Sequence, residues 1–141
     1  MSKILVPPNI AAMSIPVAVD QIAAELERFG HSAYVLTVRD DATPHVAHVT
    51  FALVDGVLRC PASRTAARNV ADRPTMSVLW PPYESGGYSM IVDGEAHSDG
   101  DELVVVPTNG VLHRPAPARG SAEDTDGAAC ASDCAPLGDA D

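Results

Sequence analysis

The sequence predicts a mainly β chain: six or seven short antiparallel strands wrapped into a small β-barrel, with one N-terminal helix and one short crossover helix. Three observations predict it. Apolar residues come in runs of strand length, several of them alternating with polar residues. Turn signals separate nearly every pair of runs, Asp55-Gly56 being the strongest. Only two stretches carry helical character.

Residues 1–15 read as an N-terminal arm and 16–117 as the barrel domain. A helix is expected over 16–29, where Val19, Ile22, Leu26 and Phe29 form one stripe. Pro16 suits its first turn and Gly30 its end. Residues 32–39 form a strand apolar on both faces, hence central in its sheet or covered at an interface. After the turn 40–44, a longer strand is expected over 45–54. His45, Ala47, Val49, Phe51 and Leu53 share one of its faces; Val46, His48, Thr50, Ala52 and Val54 share the other. Asp55-Gly56 returns the chain into a strand at 57–60. A short helix carrying Arg68 and Asn69 follows, stopped by Asp72-Arg73-Pro74. Strands are then expected at 75–80 and 88–97, with Gly94 marking a bulge or a close backbone approach. A strand at 102–106, a turn at 107–110 and a last short strand at 111–113 complete the domain.

Hydrophobic residues make up 46% and aromatics 4%, so the core must be mostly Val, Ala and Leu. The net charge of −10 disfavours general nucleic-acid binding, which needs a basic surface. No apolar run is long enough to cross a bilayer, and the N-terminus shows no signal-peptide pattern, so a cytoplasmic protein is the expectation. Residues 118–141 hold six acids, no Lys and one Arg (Arg119), and read as an acidic, flexible tail. Cys130 and Cys134 in that tail suit a redox disulfide or a shared metal, although a structural zinc site needs four ligands, and no metal site is assigned. Cys60, ending an apolar strand, reads as a small buried hydrophobe.

Against this acidic background, Arg64, Arg68 and Arg73 are the densest basic cluster. Arg64 lies in the small turn Ala62-Ser63-Arg64-Thr65, which leads into the helix that carries Arg68. First-turn N–H groups lack intrahelical partners and the helix dipole favours negative charge there, while Arg supplies bidentate donors suited to phosphate. The plainer reading is a strand–helix connection whose arginines are solvated or paired. The five histidines have no metal-ligand spacing. His45 and His48 face opposite sides of their strand, and one of them could reach a bound ring.

The order of these motifs carries a likeness. It runs from Pro44-His45 through Val54-Asp55-Gly56-Val57-Leu58 to Ser63-Arg64 with Arg68-Asn69-Val70. It continues with Val92-Asp93-Gly94-Glu95-Ala96 and Pro107-Thr108-Asn109-Gly110. Over roughly residues 16–114 the chain resembles the pyridoxamine 5′-phosphate oxidase-like split β-barrel proteins that bind FMN or the deazaflavin F420, in their short actinobacterial form. The resemblance implies a homodimer with small-molecule cofactor and substrate held at the subunit interface. It implies a flavin- or deazaflavin-dependent oxidoreductase or, alternatively, a non-catalytic carrier of flavin, F420 or haem. By position it places the cofactor phosphate on Ser63, Arg64, Thr65 and Arg68, and the ring near His48, Thr50, Pro61 and Ala62. Trp80 and the Pro81-Pro82 loop would border the site. Related flavin binders often carry a Lys just after the turn Arg; here Thr65 and Ala66 stand there, leaving Arg64 and Arg68 as charge partners.

Overall fold

The computed structural model describes residues 13–116. Strands β1 (Ser14–Val17), β2 (Ser32–Val38), β3 (Pro44–Thr50), β4 (Ala52–Val54), β5 (Val57–Pro61), β6 (Thr75–Trp80), β7 (Ser89–Asp99) and β8 (Glu102–His113) form one antiparallel sheet with two helices, α1 (Ile22–Phe29) and α2 (Arg64–Asp72). The strand order is β3-β2-β6-β7-β8-β5-β4, with β1 added on β8. The end strands β3 and β4 are joined through the single residue Phe51, so the sheet must curl until its two ends meet. The mainly β barrel expected from the sequence is the observed architecture.

The inward faces build the core expected of a chain poor in aromatics. Ala33 and Val35 of β2, Val78 and Trp80 of β6, Val92 of β7 and Leu103 and Val105 of β8 are all buried. Ile22 and Leu26 of α1 close one side; Phe29 packs partly against them, and Val19, before the helix, is exposed. Gly30 ends α1 at φ 81°, its N–H bonding the Leu26 carbonyl at 2.8 Å, as its position suggested. Asp55 and Gly56 both adopt positive φ, the tight hairpin expected of that pair. Strand β2 lies between β3 and β6, central in the sheet as expected, with Ala33 and Val35 facing the core and Tyr34 and Leu36 half-buried on the other face.

Three boundaries differ from expectation. The helix starts at Ile22 rather than Pro16: Ser14–Val17 is a strand paired only to β8, and a short 3-10 turn, Val19–Gln21, follows. Proline lacks a donor but is tolerated on an edge strand, so Pro16 does not mark a helix start here. Ser14 and Ile15 thus belong to the sheet rather than to an arm. The strand expected over 45–54 breaks at Phe51, whose ring turns into the core while its N–H bonds the His31 carbonyl at 2.8 Å.

Finally, the turn expected at 107–110 is the middle of one twelve-residue strand, β8. The register passes from Asp93↔Asn109 to Gly94↔Pro107, so Thr108 is the extra residue of a bulge. On its other edge β8 pairs with β5 up to Val105 and with β1 from Gly110, so Pro107 interrupts no ladder there. Gly94 is the close approach its position suggested: a Cβ would lie 2.6 Å from the Val106 carbonyl oxygen.

Candidate functional site

Strand β5 ends at Pro61, and Ala62 N–H bonds the Asp101 carbonyl at 3.0 Å. Ser63 is extended and caps α2, its Oγ accepting from Ala66 N–H at 3.0 Å. The helix buries Ala66, Asn69 and Val70. Asn69 Nδ2 donates to the buried Thr37 Oγ1 at 2.9 Å, which pins the helix to β2. Burying that face leaves Arg64 and Arg68, one turn apart, exposed on the other, with Thr65 half-buried.

The basic cluster then divides. Arg73 is a structural residue: its Nε donates to the Val38 carbonyl at 2.9 Å and its guanidinium pairs with Asp40. Arg28 pairs with Glu25, and Arg59 with Glu102 and Asp99. Among the described residues Arg64 and Arg68 have no ion pair and no hydrogen bond from their side chains. Arg68 lines a cleft of about 330 Å³ with Arg39, Asp40, Asp41 and Asn69. The Asp41 carboxyl there is held below the usual carboxylate range, first by the Thr43 hydroxyl and then by the Thr43 N–H.

A separate cleft of about 340 Å³ lies between β3 and the end of β5, lined by Ser32, His48, Val49, Thr50 and Pro61. It brings together three residues proposed from the sequence: His48, Thr50 and Pro61. Ala62 and Ser63 come next along the chain, at the start of α2. His48 Nε2 lies 2.6 Å from Ser32 Oγ, and its ring stacks on Tyr34 with centroids 4.5 Å apart and planes 20° apart. Neither Ser32 nor Tyr34 was expected at the site. The signal was present in the alternation of the two strands, since antiparallel pairing sets Tyr34 directly opposite His48.

Trp80 does not border this cleft. It is fully buried, 5.8 Å from the Phe51 ring, because inward β6 positions alternate and Trp80 follows Met76 and Val78. The loop after Trp80 borders a third cleft, of about 310 Å³, where Tyr83 meets Phe29 edge-on and the Arg114 guanidinium lies 4.8 Å over the Tyr88 ring. His45 faces inward, and its buried Nδ1 has no hydrogen-bond partner among the described residues. Among the described residues no group of three potential ligands is placed to hold a metal. No helix among them is long and apolar enough to cross a membrane. Cys60 is buried, and burial pushes its thiol up to about 11. Cys130 and Cys134 lie outside the described residues.

No protein-family model matches the chain. Two uncharacterized proteins, Mb0449c of Mycobacterium bovis and MT0457 of Mycobacterium tuberculosis, are each 40% identical to it over 76 residues, covering 48% of this chain and 50% of theirs. The chain thus spans about half the length of the curated relatives it matches. Among solved structures, a candidate pyridoxamine 5′-phosphate oxidase from Listeria innocua matches with a TM-score of 0.53 at 21% identity, covering 67% of this chain and 96% of that one. An FAD-binding protein from Mycobacterium smegmatis gives 0.53 at 15% identity over 72% and 99% of the two chains. An FAD-binding protein from Mesorhizobium loti gives 0.55 at 12% identity over 72% and 98%. With the curled sheet and the helix α2 between β5 and β6, these likenesses give the chain the split β-barrel fold of the pyridoxamine 5′-phosphate oxidase-like proteins.

Proposed function

We propose that this protein binds a phosphate-bearing flavin or deazaflavin, FMN or F420, and acts as an oxidoreductase on a small substrate. The observation that carries this reading is the pair Arg64 and Arg68 on the open face of α2, without ion-pair or hydrogen-bond partners among the described residues, in a chain of net charge −10. Most other arginines of the barrel have a carboxylate or carbonyl partner; these two are left for an anion. Ser63 contributes by ordering the first turn of α2, so that its free N–H groups join the two guanidinium groups.

When bound, such a cofactor supplies the hydride chemistry, while the chain supplies binding and orientation. Arg64 and Arg68, with Ser63 and Thr65, would hold the phosphate, and Pro61, Ala62, His48 and Thr50 would stand along the ring. The outer faces of the sheet support a homodimer. Tyr34, Leu79 and Ile91 stand in register across β2, β6 and β7, and beside them Leu36 pairs with Val46, which is 54% exposed. Thr65 and Ala66, where a lysine is usual, favour a second reading: a carrier of the same ligands without turnover.

Titration with FMN, riboflavin and F420, followed by absorbance and fluorescence, tests the proposal. Arg64→Ala should weaken FMN about tenfold or more and leave phosphate-free riboflavin unchanged. Equal losses for the two would reject the phosphate role. Reduction of bound cofactor by a nicotinamide donor, followed by reoxidation by an acceptor, would separate the enzyme from the carrier.

A further inference from the structure

We infer that the outward face of the His48 imidazole is a stacking platform for a planar heteroaromatic ring, with Tyr34 beneath it and Ser32 fixing its plane. The inference rests on the flavin-binding reading and names a side chain that would touch the ring. An imidazole has two faces and one polar edge. Here Tyr34 covers one face at 4.5 Å and 20°, and Ser32 Oγ holds the edge at Nε2, 2.6 Å away. His48 nevertheless remains exposed, so its second face is left open. It points outward between Val46 and Thr50, beside the cleft that Thr50 and Pro61 line.

Three further features fit a ring rather than a point charge. A stack already formed has its planes set, so a third ring joins without ordering a loose side chain. No carboxylate or guanidinium contacts His48 among the described residues, so nothing competes for its open face. The exposed Val46 flanks it on the same side of β3 and offers apolar contact to a ring edge.

Riboflavin, FMN and F420 are the probes, and fluorescence quenching with the visible absorption shift is the readout. His48→Ala should weaken all three about tenfold, since stacking does not depend on the phosphate. His48→Phe should keep affinity within about threefold, because a flat ring replaces a flat ring. Arg64→Ala should weaken FMN and F420 and spare riboflavin. Loss of the Tyr34 stack and the Ser32 bond should lower the melting temperature of His48→Ala by only a few degrees, and a cooperative unfolding transition verifies folding. If wild-type protein binds a flavin and His48→Ala binds it equally well, the platform is rejected while the flavin reading stands. If His48→Phe falls as far as His48→Ala, the contact is polar and the platform is again rejected. If none of the three probes binds the wild type, both readings fall.

Discussion

The indole Nε1 of Trp80 donates to the Gly30 carbonyl at 3.0 Å, tying the last residue of β6 to the end of α1. The same ring packs against Phe51, at the joint between the two ends of the sheet. One side chain therefore holds helix, sheet and seam together. Trp80→Phe should cost about 1–3 kcal/mol, because the lost bond strands a carbonyl near the core. Trp80→Ala should cost about 3–5 kcal/mol from the cavity as well. Denaturant melts measure both. Flavin affinity in the Phe variant should be unchanged, since the indole lies inside the barrel.

Gly94→Ala should destabilise by about 1–3 kcal/mol. The added methyl would meet the Val106 carbonyl at 2.6 Å and Val105 Cγ1 at 2.9 Å, and the backbone atom cannot move aside without opening the bulge. Thermal unfolding would show the loss, and amide exchange would place it around β7 and β8.

Ala42→Gly should do the opposite. Ala42 sits at φ 73° in the β2–β3 turn, where an L side chain is disfavoured and glycine is not. A gain of up to about 1 kcal/mol is expected, read as a raised denaturant midpoint with unchanged slope.

Cys60 supplies a pH dependence. Burial, with Glu102 adding to it, lifts its thiol from the ordinary 9.0 to about 11. The folded chain keeps this proton more tightly than the unfolded one. Its contribution to stability is therefore complete below pH 9 and falls away as the pH rises from 9 to 11. In a Cys130→Ser, Cys134→Ser background, a thiol reagent at pH 8 should reach Cys60 only as fast as the protein opens. Cys60→Ala should flatten the alkaline part of the stability profile.

Much of this was legible in the sequence wherever a local signal had no rival. Asp55-Gly56 could hardly be anything but a tight hairpin, and the alternation from His45 to Leu53 sorted inner from outer residues correctly. Pro74 marks the end of α2 as expected, but Pro16 and Pro107 mark no boundary. Pro16 and Pro107 lie where β1 or β8 has a free edge, and edge position is a property of the assembled sheet. Trp80 illustrates the same limit: its parity within β6 placed it inside, while its nearness to a loop suggested the surface. The Arg64 and Arg68 pair was visible as a cluster, but only the structure separated it from Arg73, whose partners lie more than thirty residues away.

The meeting of β3 and β4 at Phe51 has a mechanical consequence. No ladder joins β3 to β5 or β4 among the described residues, so the cylinder is fastened on that side by one covalent link and by side chains. Such a wall can part along this line without breaking a single backbone pair. Amide protons beside it should exchange ahead of those in β7 and β8, and the molecule should unbutton there first while the rest of its girdle stays shut.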